Sequence, residues 1–154
     1  MNRSDSIVII PTYNEKENVE AIIRAVMELP HGFDILIIDD GSPDGTAQIV
    51  KNLQATEFAE RLHLVERKGK LGLGTAYIAG FKWALAHGYD YVFEMDADFS
   101  HDPKDLTRLY EACAVEGYDV AIGSRYVSGV NVVNWPMGRV LMSYYASKYV
   151  RLVT

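Results

Sequence analysis

The sequence has a single cysteine, Cys113, among its 154 residues, so no internal disulfide can staple the fold and the chain reads as a protein of a reducing compartment. In DLTRLYEACAVEG, Cys113 shares a helical stripe with Leu106, Leu109 and Tyr110, which makes it core filler and not a nucleophile. Long apolar runs are missing too: none approaches membrane-spanning length, and the one in MNRSDSIVIIPTYNE is too short for a signal peptide. The chain therefore reads as soluble, or as lying on a membrane without crossing it. Basic residues are outnumbered, 15 Lys and Arg against 21 Asp and Glu, and the net charge of -6 argues against general nucleic-acid binding. The dense basic run RKGK, Arg67 to Lys70, is large enough for one or two phosphates only. The four histidines, His31, His63, His87 and His101, lack zinc spacing, and His101 suits a supporting or capping role beside its acidic neighbours. Repeats, low-complexity tracts and linkers are absent, which with 49% hydrophobic residues bounds the chain to one domain with a sizeable core.

What is present is an alternation. SIVIIP is a β-branched run, and NVEAIIRAVMEL then places Val19, Ile22, Ile23 and Val26 at helical spacing. FDILIIDDG predicts a second strand, DGTAQIVKNL a helix capped by Asp44, and RLHLVERK a third strand. TAYIAGFKWALAHG continues the apolar helical pattern, with Tyr77, Phe81, Ala84 and Leu85 sharing a face and Gly88 as its stop. Strand YDYVFEMDAD, helix PKDLTRLYEACAVEG with Pro103 at its first position, and strand YDVAIGSR follow. Strands without a polar face, separated by helices, predict an α/β fold with a mainly parallel sheet covered on both sides. Beyond Tyr126, YVSGVNVVNW is loop-like and PMGRVLMSYYASKYVRLVT predicts one helix.

In such sheets ligands bind beyond the carboxyl ends of the strands. The residues there are Pro11-Thr12-Tyr13-Asn14-Glu15, Asp39-Asp40-Gly41-Ser42, Asp96-Ala97-Asp98 and Gly123-Ser124-Arg125-Tyr126, and together they describe a polar cleft. Aspartates would repel a nucleotide diphosphate unless a hard divalent cation sits between, and Asp96 and Asp98 fit that role. Alternation along an extended segment would put both on one side, one for the metal and one for a ribose hydroxyl or metal-bound water. The alternative is a polar turn that caps the helix after Pro103. Asp39 can accept hydrogen bonds from a base or ribose, or close a turn with SPDGT. Arg125 offers a bidentate fork to a phosphate, or pairs with an aspartate. GLGTAYIAG is an imperfect dinucleotide fingerprint, with Tyr77 in the third glycine's place; its glycines suit close approach to a ligand or a neighbouring strand.

Five ordered motifs, IIPTYNE, IIDDGSPDGT, KLGLGTAY, MDADFSH and IGSRYVSG, resemble the inverting family 2 glycosyltransferases of GT-A fold, and more narrowly the dolichol- or polyprenol-phosphate mannosyltransferases. The resemblance runs from about Ile7 to the end. It implies a GT-A-type, Rossmann-like nucleotide-sugar-binding core over 1–130, and an acceptor-side loop and amphipathic helix over 131–154. It also implies that Pro11, Tyr13, Glu15 and Asp39 hold the guanosine of GDP-mannose, with Asp40 alongside. Asp96 and Asp98 would position the diphosphate through Mg²⁺ or Mn²⁺. Ser124, Arg125 and Arg139 match positions that meet donor or acceptor phosphates, and Lys70 one near the sugar or diphosphate. The partners implied are GDP-mannose and a polyprenyl phosphate in the membrane, and the location a cytoplasmic one, peripheral at the membrane inner face. Family members continue into a segment with a Thr-x-Gly-Phe-like motif and a further basic residue, which this sequence lacks, so 131–154 is read as truncated.

The rival readings are another family 2 transferase, using UDP-glucose or building a polysaccharide, and a catalytically silent nucleotide-sugar-binding module. A dinucleotide-dependent oxidoreductase stands further off. For a lipid-borne acceptor, the terminal helix offers a face of Leu141, Tyr144, Tyr145, Lys148, Tyr149 and Leu152, flanked by Arg139 and Arg151, suited either to a headgroup boundary or to packing on a partner.

Overall fold

A computed structural model describes residues 4–124 and 137–153 of the chain, without the side chains of Arg139, Val140, Ser147, Lys148 and 150–153. Its elements are β1 (Ser6–Thr12), α1 (Val19–Met27), β2 (Asp34–Asp39), α2 (Thr46–Thr56), β3 (Leu62–Glu66), α3 (Leu73–Ala86), β4 (Tyr91–Glu94), α4 (Asp105–Ala114) and α5 (Met137–Val153). The strands form a four-stranded sheet in the order β3-β2-β1-β4, and all its pairings are parallel. The chain divides into two compact units, Met1–Ala121 and Ile122–Thr154. The first holds the sheet and four helices; the described part of the second holds α5.

Side-chain alternation sorts the sheet into two apolar layers. Val8 and Ile10 of β1 and Ile35 and Ile37 of β2 face a core closed by Val19, Ile22, Ile23 and Val26 of α1, Val50 and Leu53 of α2 and Leu106 of α4. Ile7, Ile9, Leu36 and Ile38 face the other way, onto Ala76 and Ala84 of α3. The two central strands are therefore apolar on both faces, as their continuous β-branched runs predict. Each fully buried Ile or Leu contributes about 1.5–3 kcal/mol relative to exposure. Cys113 is half-buried on α4, beside Leu109 and Tyr110, which pack against the larger core.

Three expectations need correction. The buried side of α3 consists of Ala76, Gly80 and Ala84, while Phe81 is 36% and Leu85 73% exposed. The helix lies so close to β1 that a Cβ on Gly80 would stand 2.6 Å from Ile9 Cγ2, so the direct contact is made by a small residue, while Tyr77 and Trp83 pack partly buried against the same layer. The segment YDVAIGSR forms no strand over its described residues 118–124, where Tyr118, Val120 and Ile122 are exposed. A strand exists only with a neighbour to share its hydrogen bonds, and these residues have no place in the ladders of the sheet. Pro103 precedes α4 instead of opening it; Asp102 holds the approach, its Oδ1 accepting from the Lys104 N–H at 3.0 Å.

Candidate active site

The sheet order creates the site. From β1 the chain winds to β2 and β3 on one side, then crosses to β4 on the other, so the strand order reverses between β1 and β4. The loops diverge there and leave a crevice at the carboxyl ends. A cavity of about 240 Å³ occupies it. Pro11, Thr12, Tyr13 and Glu15 line it from the end of β1, Asp40 from β2, Lys70, Leu73 and Ala76 from the approach to α3, and Asp96, Ala97 and Asp98 from the end of β4.

Two loops on the β1 side are tied together by side chains. Asp39 is 1% exposed, and its carboxylate accepts from Thr12 Oγ1 at 2.9 Å, Ser42 Oγ at 2.6 Å and the Ser42 N–H at 2.9 Å. Ser42 Oγ in turn accepts from the Asn14 N–H at 3.0 Å, and Thr46 Oγ1 accepts from the Glu15 N–H at 3.1 Å. Asp44 accepts from the N–H and the hydroxyl of Thr46 and from the Lys16 N–H, so it secures both the start of α2 and the loop after β1. The residue at the helix boundary itself is Gly45, which refines the expected Asp44 cap by one position. The hydrogen bond from the Thr46 hydroxyl, more than offsetting the opposing effect of burial, holds the Asp44 carboxyl below its ordinary range. Asp39 is thus placed behind the cavity wall, where it braces Thr12 and Ser42.

Asp40 is clamped by Arg67, the first residue of the basic run RKGK. Arg67 Nε lies 2.6 Å from Asp40 Oδ1 and Nη2 lies 2.7 Å from Oδ2, a bidentate pair with both side chains largely buried. The same guanidinium donates to Thr75 Oγ1 at 2.9 Å, and Asp40 Oδ2 also accepts from the Leu71 N–H at 3.3 Å. Gly41 allows the approach: its φ is +70°, and a Cβ there would stand 3.0 Å from the Gly69 nitrogen. Lys70, on the loop so ordered, places Nζ 4.8 Å from the centre of the Tyr13 ring, a cation–π contact at the cavity.

The acidic pair sits in a turn. β4 ends at Glu94, so Asp96 and Asp98 follow the strand instead of alternating along it, which corrects the extended geometry expected for them. The turn brings both to the cavity nonetheless. Tyr77 of α3 donates its hydroxyl to Asp96 Oδ1 at 3.1 Å, and burial, then the Asp96 charge and this hydrogen bond, hold the Tyr77 proton on well above the usual phenol range. Burial opposes ionisation of Asp98, but hydrogen bonds from Ser100, and after them electrostatic attraction to nearby His101, outweigh it and keep its carboxyl below the ordinary value. His101 Nδ1 faces the Asp96 N–H at 3.4 Å, consistent with its supporting role. Among the described residues, neither Asp96 nor Asp98 is ion-paired, and no group of three His, Cys, Asp or Glu side chains gathers as a metal cage.

The remaining expected residues fall outside the description of this cavity. Ser124 is exposed in the second unit, the Arg139 side chain is not described, and Arg125 lies outside the described residues. Thr12, Arg67, Leu73 and Tyr77 are the additions. In the sequence Thr12 stands only within the strand-end cluster, Arg67 only within RKGK, and Tyr77 as the aromatic residue in place of a fingerprint glycine.

Residues 7–152 match the family described as Glycosyl transferase family 2. The chain is 47% identical over 148 residues to polyprenol monophosphomannose synthase of Mycolicibacterium smegmatis, covering 96% of this chain and 55% of that one. It is 44% identical over 147 residues to undecaprenyl-phosphate mannosyltransferase of Micrococcus luteus, covering 96% and 59%. The chain therefore spans a little over half the length of these relatives. The solved structure of S. aureus TarS 1-349 is similar with a TM-score of 0.56 at 21% identity, over 80% of this chain and 39% of the other, a likeness of fold alone. With the match running through nearly all of the sequence, the chain belongs to glycosyl transferase family 2 and has its GT-A-type α/β fold.

Proposed function

We propose that this chain carries the donor side of an enzyme that transfers mannose from GDP-mannose to a polyprenyl, dolichyl-type monophosphate with inversion, yielding polyprenyl-phosphate mannose. The observation that carries the reading is that relatives 47% and 44% identical over 96% of the chain bear names joining mannose to polyprenol or undecaprenyl phosphate. The chemistry of the cleft supports it. Asp96 and Asp98 would hold Mg²⁺ or Mn²⁺: both line the cavity, both lack a cationic partner among the described residues, and such hard cations take oxygen donors while keeping waters. When bound, the cation neutralises the charge that gathers on a departing diphosphate.

The protein's own residues would do the positioning. Tyr77 fixes Asp96 through its hydroxyl. Pro11, Tyr13 and Glu15 would take the guanosine, with Asp39 acting from behind by bracing Thr12 and Ser42, and Asp40 by ordering the Lys70 loop. Lys70 would reach the sugar or the diphosphate. Ser124, Arg125 and Arg139 would meet phosphates of donor or acceptor, and α5 would rest at the headgroup boundary. The acceptor phosphate is anionic at neutral pH, so its oxygen attacks mannose C1 without a general base. The bond from C1 to the diphosphate oxygen breaks, GDP leaves with the electron pair, and the α-linked donor gives a β-linked product.

The test is incubation of the full-length protein with GDP-mannose, a panel of polyprenyl phosphates and Mg²⁺, with mass analysis of the lipid product. A mannosyl phospholipid is expected. Exclusive use of UDP-glucose, or donor binding without turnover, would overturn the reading.

A further inference from the structure

The outward side of α3 exposes an apolar stripe, and the helix carries one charged residue, Lys82. Ile78, Phe81 and Leu85 stand at i, i+3 and i+7, one stripe of the helix, and are 54%, 36% and 73% exposed. Leu71 and Leu73, 59% and 58% exposed, carry the apolar surface to the cavity, whose wall includes Leu73. From Arg67 to Gly88 the sequence has Arg67, Lys68, Lys70 and Lys82 and no Asp or Glu, in a chain of net charge -6. Arg67 is occupied by Asp40, whereas Lys68, Lys70 and Lys82 are exposed and enter no ion pair among the described residues.

We propose that this face of α3 is a lipid-contacting surface. It seats on an anionic bilayer, with Ile78, Phe81 and Leu85 at the acyl boundary and Lys82, with Lys68 of the preceding loop, against lipid phosphates, and so holds the mouth of the cavity at the membrane. The inference deepens the reading that the acceptor is a lipid-borne phosphate, and rests on it for its purpose. Charge selects the occupant. A second copy docking symmetrically through the same face would set lysines against lysines. An anionic bilayer supplies apolar depth and negative charge together, which is what an apolar stripe with a lysine fringe complements.

The experiment is co-sedimentation of the full-length protein with vesicles of phosphatidylcholine alone or mixed with phosphatidylglycerol, none containing polyprenyl phosphate. Wild type is expected to sediment with the mixed vesicles and to be released by salt. The double variant Ile78→Ser with Leu85→Ser is expected to lower partitioning about tenfold, and Lys82→Glu several-fold, with unchanged circular dichroism and melting. Lys82→Glu alters only an exposed side chain, so it keeps the test decisive if the double variant unfolds. Wild-type partitioning in Lys82→Glu and in a folded double variant would overturn the proposal. So would a concentration-dependent dimer that these variants abolish while vesicle binding stays intact. Transfer to a polyprenyl phosphate dissolved in detergent separates the two claims. Its absence in wild type sinks the catalytic reading alone, and its persistence beside unaltered vesicle binding of the variants sinks this surface alone.

Discussion

Arg67 and Asp40 form a two-point ion pair at 2.6 and 2.7 Å, with side chains only 11% and 8% exposed, and it joins the end of β2 to the loop that leads into α3. Removing one partner strands the other. Arg67→Ala is expected to cost about 3–5 kcal/mol, because a largely buried carboxylate loses its counter-charge. Arg67→Lys keeps the charge but not the fork and should recover only part of this. Urea unfolding of both variants checks the order; equal stability of Arg67→Ala and wild type would show that water already satisfies Asp40.

Asp98 is exposed at the cavity, so its loss touches chemistry more than folding. Asp98→Ala is expected to lower turnover on the order of a thousandfold at nearly unchanged melting temperature. Tyr77→Phe should be milder. It leaves the charge of Asp96 but frees the carboxylate to rotate, so the Mg²⁺ concentration for half-maximal rate should rise while the rate at saturating Mg²⁺ falls less than in Asp98→Ala. Metal titration of the rate separates the two.

The depressed Asp44 carboxyl gives a pH signature. A group held lower in the folded than in the unfolded state adds stability above its unfolded value, about 3.9, and loses it as pH falls through the folded one. Asp44→Ala should therefore cost about 1 kcal/mol at pH 7, the size of a lost helix cap. The difference from wild type should shrink as pH falls below about 4. Thermal melts across that range measure it; a constant difference would assign the effect to packing.

Gly80→Ala pits helix propensity against space. Alanine favours the helix by up to about 1 kcal/mol. Against that, its Cβ would meet Ile9 Cγ2 at 2.6 Å and Cδ1 at 2.8 Å in a fully buried contact. Overpacking of this kind costs about 1–3 kcal/mol, so a net loss is expected. Combined with Ile9→Ala, the double variant should lose less than the sum of the two singles.

The parts of the fold legible in the sequence are those where one helix or strand meets a uniform apolar layer. Val19, Ile22, Ile23 and Val26 are buried as their spacing predicts, and the alternation of Ile and Leu through β1 and β2 produces the two-faced parallel sheet. On α3 the same rule fails, because periodicity assigns the largest side chains to the core, whereas the distance to Ile9 leaves no room for even a Cβ at Gly80. YDVAIGSR has the composition of a strand, but a strand is a relation between two segments, and composition describes one. The Arg67–Asp40 pair spans 27 positions and leaves no local pattern, so RKGK reads as a phosphate contact until the fold brings Asp40 to it.

The sheet is uneven at the cavity. Glu94, the last residue of β4, pairs with Ile9, whereas β1 runs on through Ile10 and Pro11 to Thr12, level with Asp39. Three residues at about 3.3 Å each make a step about 10 Å deep in the edge of the sheet. That end of the cavity is therefore shaped in backbone, by where one strand stops. Exchanging side chains on its walls changes what is gripped, but adding or deleting two residues at the end of β4 would change how far a ligand can descend.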